Sequence, residues 1–192
     1  MAEIKSALEL ALEKAERLGK ASPEELQASR WQEEGKHLAA EFLRGKVELD
    51  AELKKYPAAA QSVLVQAIKE VLLRNIILPR EGVMDESSQR VRTGLLQVAR
   101  DRKAMQRVLQ ELDQLMKGYL QVRQNALQQL KGQFTVQLDG VKRALEAQMH
   151  RPIQVEVEML PQFQEQWRSF EMQLNQQFEP LLERHKTALA AL

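Results

Sequence analysis

A chain of 192 residues with 44% hydrophobic and 29% charged side chains is long enough to bury a core and polar enough to stay in solution. Its 28 basic and 27 acidic residues leave a net charge of +1, which argues against wholesale binding to nucleic acid or anionic membrane. It has no cysteine, which excludes disulfides, thiolate metal sites and Cys nucleophiles and fits a reducing compartment.

The opening MAEIKSALELALEKAERLGK carries acidic residues throughout and lacks an apolar core of signal-peptide length, so it reads as neither a secretory signal nor a transit peptide. Its pattern predicts an amphipathic helix over about residues 2–18. Ile4, Ala7, Leu8, Ala11, Leu12, Ala15 and Leu18 share one face, and Gly19 is a suitable stop. Lys5, Lys14, Arg17 and Lys20 admit a membrane-surface reading, but Glu3, Glu9, Glu13 and Glu16 offset them, and packing on the body of the protein is the expectation. A second helix opens at SPEEL. Ser22 suits the cap, Pro23 the first helical position, and Glu25 completes a capping box. It carries Leu26, Trp31, Leu38, Phe42 and Leu43 and ends near Gly45. A short helical piece over 48–55 precedes Pro57. The third full helix, over about 58–77, is apolar nearly all round, which suits a central position in a core. Its stretch Val63–Leu78 contains Lys69, Glu70 and Arg74, too short and too charged for a bilayer span of ~20 apolar residues.

From 85 to 149 the pattern is helical without a proline. Val91, Leu95, Val98, Arg102, Met105, Leu109, Leu112, Met116, Tyr119, Arg123, Ala126 and Leu130 alternate steps of four and three, a heptad seam interrupted by two arginines. Beyond Leu130 the spacing stutters. Unbroken, this helix would be ~95 Å long, with bends expected at Gly94, Gly118, Gly132 or Gly140. Residues 149–163, MHRPIQVEVEMLPQF, break the pattern. Ile153, Val155, Val157 and Met159 alternate with polar residues at strand period. Pro152 and Pro161 bracket them, so 152–160 reads as an extended connector that lets the chain turn back. Residues 133–138 alternate too, and pairing of 133–138 with 153–159 as strands is the rival reading. The last helix, 161–191, carries the stripe Phe163, Trp167, Phe170, Leu174, Phe178, Leu181, His185 and Leu189, with Pro180 expected to kink it or start a new segment.

Chemistry is thinly represented. Glu34 and His37 have the Glu-x-x-His spacing of di-iron bundles, but no second such pair occurs. A solvated polar face is the expectation there. His185 reads as a partly buried histidine on the apolar stripe, and His150 as a cation at a helix C-terminus. There is no Gly-x-Ser-x-Gly elbow, P-loop or Gly-x-Gly-x-x-Gly motif. No cofactor, metal or catalytic residue is therefore expected, and the chain reads as a non-enzyme. Charge gives the better lead. Between Arg90 and Arg107 lie Arg90, Arg92, Arg100, Arg102, Lys103 and Arg107 against Asp101 alone. On one continuous helix Arg92, Arg100, Lys103 and Arg107 fall within an arc of roughly 80° at ~100° per residue. That is a basic stripe fit for an acidic partner, RNA or phospholipid heads, or else a solvated face balanced by acidic helices. No aromatics interleave it for base stacking.

The opening segment, LLRNIILPRE and LPQFQEQWRSFEMQLNQQFEPLLE together resemble a bacterial family of all-helical proteins of unknown function. The resemblance implies a cytosolic helical protein and no particular activity. The expected architecture is all-α: an N-terminal helical lobe, residues 1–80, beside a long antiparallel helical hairpin, residues 85–192. The hairpin pairs a long helix over 85–149 with a closing helix over 161–191 that covers only about 115–149. The seam Val91, Leu95, Val98, Met105, Leu109, Leu112 and Met116 then needs burial by the N-terminal helices, a second subunit or a partner. Leaving each large side chain wet would forgo ~1.5–3 kcal/mol. The functional expectation is a cytoplasmic, noncatalytic scaffold or adaptor that binds a protein partner or forms a homodimer. The alternative is an anion-binding or nucleic-acid-associated accessory protein using the Arg90–Arg107 stripe.

Overall fold

The computed structural model describes residues 22–80, 86–149 and 156–192. Its regular structure is helical: α1 (Pro23–Leu43), α2 (Leu49–Leu53), α3 (Ala58–Arg74), α4 (Glu86–Val98), α5 (Arg102–Met149), a 3-10 turn (Val157–Met159) and α6 (Pro161–Ala191). Among the described residues there is no strand, and the protein is all-α. The helix expected over 2–18 lies outside the described residues. The chain divides into two compact units. The first holds α1 to α4 through Arg102, and the second holds α5 from Lys103 onward, the 3-10 turn and α6.

In the first unit, local sequence sets the ends of α1. Ser22 Oγ accepts from the Glu25 N–H at 3.2 Å while Glu25 Oε2 accepts from the Ser22 N–H at 2.8 Å, so the capping box forms as its residues predict. At the other end Gly45 adopts φ 73°, the left-handed conformation that glycine takes without strain. The Gly45 N–H donates to Phe42 O and the Lys46 N–H to Glu41 O, closing a Schellman turn that satisfies the last carbonyls. The guanidinium of Arg90, from α4, lies on the face of Gly45 where a Cβ would sit.

The core of this unit is built on small residues. A Cβ on Gly35 of α1 would come within 2.8 Å of the Leu64 carbonyl oxygen and 2.9 Å of Ala67 Cβ on α3. Ala39, Ala60 and Ala67 are buried beside it, so α1 and α3 approach closely. Phe42 of α1 and Leu72 of α3 both meet Gly94 of α4. The pairings of Gly35 with Leu64–Ala67, and of Phe42 with Leu72, run α1 and α3 in the same direction. Val91, Leu95 and Val98 of α4 are buried with Leu38, Leu64, Ile68 and Leu72. Polar contacts tie the unit's rim. Tyr56 Oη donates to Glu34 Oε1 at 2.7 Å, and Gln97 Nε2 to Glu48 Oε2 at 3.1 Å.

The second unit is an antiparallel pair, α5 and α6. Its turn-side end is a cluster of Phe134, Val157 and Phe163, with Leu127, Leu130, Leu138, Leu160 and Trp167 around it. The Phe134 and Phe163 rings meet edge-to-face at 5.6 Å. Further along, Tyr119 meets Phe178 edge-to-face at 5.3 Å.

Several expectations are corrected. The helix expected over 85–149 is two helices, interrupted at Ala99–Asp101. Asp101, a preferred capping type, stands just before Arg102. The Arg102 Nε donates to the Leu96 carbonyl of α4's last turn at 3.0 Å and the guanidinium lies 3.7 Å from Asp50. The break is therefore stabilised by side-chain capping, while Gly118 and Gly132, where bends were expected, lie inside α5. Residues 133–138 are helical, which removes the paired-strand alternative. Residues 157–159 form a 3-10 turn between extended residues Glu156 and Leu160, rather than one extended run. Val157 is buried and Met159 exposed, while Ile153 and Val155 lie outside the described residues. Helix α6 runs through Pro180. Its inward stripe steps from half-buried Phe178 to buried Leu182, leaving Leu181 40% exposed.

The glycines give a test of opposite signs. Gly35→Ala is expected to destabilise the protein by about 1–3 kcal/mol, because the new methyl overpacks against backbone. Gly118→Ala and Gly132→Ala meet nothing within 4 Å, and each is expected to stabilise by up to about 1 kcal/mol. Chemical denaturation of the three variants checks this. Alkaline titration gives a second test. The Tyr56 phenol is pushed up to about 12, first by burial and then by its bond to Glu34 and the charge of Glu34 and Glu52. A raised folded-state value means this contribution is intact below the ordinary tyrosine value of ~10. It is lost as pH rises through about 12. Denaturation across that window is expected to show a steeper loss for the wild type than for Tyr56→Phe.

Candidate functional site: hairpin seam and basic segment

The seam between α5 and α6 contains a polar layer in an otherwise apolar heptad pattern. Arg123 occupies a seam position. Its Nη2 and Nε donate to Glu171 Oε1 at 2.6 and 3.0 Å. The guanidinium lies 5.1 Å from the centre of the Trp167 ring, and Trp167 stacks on Phe170 at 5.6 Å. One heptad step away, Tyr119 Oη donates to Asn175 Oδ1 at 2.7 Å. Burial is the chief reason the Tyr119 phenol sits above its ordinary value. Nearer the turn, Lys131 pairs with Glu158 and holds that carboxyl below its ordinary range, chiefly by hydrogen bonding.

These pairs set one register. Phe134 faces Phe163, Arg123 faces Glu171, and Tyr119 faces Asn175 and Phe178. Carried on one residue at a time, that register brings Leu182 level with Leu112, and Leu189 level with Met105. All four are buried. The closing helix thus follows α5 from about Phe134 back to Met105, not over 115–149 as expected. The difference follows from the turn, whose buried Val157 and Phe163 close on Phe134.

The expected association seam is consequently split. Val91, Leu95 and Val98 are buried in the first unit, and Met105, Leu109 and Leu112 are buried in the second unit's part of the chain. Met116 is half-buried. The chain itself buries the side chains whose exposure had called for a second molecule.

The basic stripe also changes. Its shared arc required one helix from Arg92 to Arg107, and the break at Ala99–Asp101 removes that geometry. Arg92 is half-buried on α4, Arg100 is exposed in the break, and Lys103 and Arg107 are exposed on α5. Arg90 and Arg102 serve internal contacts: Arg90 with Glu86 and Gly45, Arg102 with Leu96 and Asp50. Sequence reasoning missed Lys69. On the packed face of α3 it is 8% exposed. Burial first, then the Arg100 charge, lowers its pKa. The visible signal was a lone lysine in an almost wholly apolar helix.

The Glu34–His37 pair does not build a ligand set. Glu34 accepts from Tyr56, and His37 Nδ1 lies 3.9 Å from Glu41. Among the described residues no group of three His, Cys, Asp or Glu side chains is placed to hold a metal. No described helix is long and apolar enough to cross a membrane.

A family model described as a family of unknown function, DUF6657, matches residues 50–191. The chain belongs to the DUF6657 family. Neither a curated protein nor a solved structure matches it. The DUF6657 match takes in α3 to α6 entire, including the Arg123–Glu171 layer and Lys69.

A double-mutant cycle over Arg123→Met and Glu171→Gln, read by denaturation, is expected to give a coupling of about 1–2 kcal/mol. Each single variant should be less stable than the wild type, because each strands a partly buried partner.

Proposed function

We propose that the protein is a noncatalytic helical interaction protein of the cytoplasm, a scaffold or adaptor whose docking element is the α5–α6 hairpin. One observation carries this reading. Beside the closed seam, α5 bears a second apolar row at heptad spacing: Val108, Leu115, Val122 and, after Gln129, Val136. Val122 is 43% exposed and Val136 76%. A helix that buries one seam needs two apolar positions per heptad, whereas a helix inside a larger bundle needs three. The extra row suits a further helix, supplied by a second copy of this chain or by the amphipathic helix of another protein. The internal lock at Arg123 supports the same reading, since it leaves the hairpin assembled before a partner arrives.

Light scattering on the purified chain, at low and high salt and over a range of concentrations, tests this. The expected result is assembly, to about twice the chain mass, that survives high salt and is lost in the Val122→Asp/Val136→Asp variant while helicity is retained. A monomer at every concentration that captures no helical partner would overturn the reading. Assembly that high salt disperses, with nucleic acid co-purifying, would favour an anion-binding accessory protein instead.

A further inference from the structure

The hairpin carries its charge unevenly. With Met105, Leu109, Arg123 and Phe134 marking the seam, and at ~100° per residue, Lys103, Arg107, Asp113, Lys117 and Lys131 turn to one flank or the back of α5. The other flank carries the row Val108, Leu115, Val122 and Val136, and between Glu111 and Val136 it holds no charged residue. Asn125, Gln129 and Gln133 stand beside the row. The antiparallel α6 continues the same flank with Gln166, Gln173 and Gln177. Depletion of charge is what marks the centre of a protein interface.

The chemistry of this flank singles out its cover. A charged face needs a partner of opposite sign. A neutral amide face is complementary to itself, because each amide both donates and accepts and can pair with its own image. The position of Val136 fixes the direction. Phe134 already faces Phe163 in the first turn of α6, so Val136, 76% exposed, stands at the limit of that helix. The α6 of a second copy, set in the same register, would stop there too. A second α5 running antiparallel reaches it. With a two-fold axis at Val122, Val136 meets the second copy's Val108, and Val122 meets itself. Glu111 then comes level with Gln133, whose amide can donate to the carboxylate. The same axis passes Gln173, level with Val122 across the hairpin, and sets its amide against its own copy.

We propose that this flank is a homodimer surface, on which the α5 helices of two copies pack antiparallel about a two-fold axis through Val122 and the two hairpins form a four-helix bundle. The inference rests on the hairpin reading above and names its partner. Such an interface is isologous, each copy offering the same patch. The like charges of the two copies stay on the outer flanks, where they do not oppose association. The row from Val108 to Val136 spans ~42 Å, so the contact runs along most of the hairpin. Antiparallel packing also sets the two helix dipoles against each other favourably.

The chain has no cysteine, so cross-linking at introduced cysteines reads the geometry in the full chain. Oxidation is expected to couple Val122→Cys to itself, and Val108→Cys to Val136→Cys when the two proteins are mixed. Val108→Cys alone should not couple, since the two copies of that position lie ~42 Å apart. Lys117→Cys, on the outer flank, measures the background. Charge gives a second readout. Val122→Glu and Val122→Lys are each expected to weaken dimerisation about tenfold or more, and their equimolar mixture to recover association. A dimer in which Val108→Cys couples to itself, or in which no position of the row couples above background, would overturn this geometry and leave the hairpin reading standing. A chain that light scattering finds monomeric at every concentration would overturn the inference. If that monomer bound a supplied amphipathic helix, the hairpin reading would survive, and if it bound none, both would fall.

Discussion

The second unit depends on where Arg123 finds its carboxylate. An arginine at a seam position of a helical pair is tolerable only opposite a partner, because an unpaired, partly buried guanidinium costs several kcal/mol. Glu171 is that partner, and Trp167 covers the same cation. With this contact made, the remaining pairings follow at one residue per residue. Phe134 reaches Phe163, Tyr119 reaches Asn175 and Phe178, and Leu189 arrives level with Met105. A shift of one helical turn would take Arg123 off Glu171 and level with Trp167 or Asn175, neither of which carries a countercharge. The polar layer thus selects one register from several that apolar packing alone would nearly equate.

The first unit obeys a different constraint. Its helices meet through small residues rather than interdigitating long ones. Gly35 against Leu64 and Ala67, and Gly94 against Phe42 and Leu72, let three helices approach closely. That close approach draws α4 into this unit. The break at Ala99–Asp101 is where the two constraints meet. Residues before it satisfy the small-residue core, residues after it satisfy the hairpin register, and Arg102 caps the last turn of α4.

Much of this was legible in the sequence because the signals were local. Ser22 with Glu25, Gly45 at a helix end, and the steps of four and three over Met105–Leu130 each carry their own physical cause and stand as read. The break was not legible. Val91, Leu95, Val98, Arg102 and Met105 continue one period without a proline or glycine at the interruption, and only tertiary packing of α4 with α1 and α3 shows why that helix ends there. The 3-10 turn at Val157 was hidden for a similar reason, since its alternation fits a strand until Phe134 and Phe163 claim Val157. For the candidate sites the lesson is sharper. The basic stripe was an angular statement about one helix and failed with that helix. Lys69, by contrast, showed in the sequence only as a lone lysine in an apolar helix, and its burial is a product of tertiary packing.

The central claim is that one chain closes its own seam, with the far end of α6 beside the start of α5. Single-molecule energy transfer tests it most directly. The chain has no cysteine, so dyes can be placed at Lys103→Cys and Ala190→Cys, both exposed positions. At single-molecule dilution no second copy is present. Near-complete transfer is predicted, because the register brings residue 190 level with the start of α5. Low transfer, rising only when unlabelled protein is added, would show that the seam is closed between chains and would contradict the account.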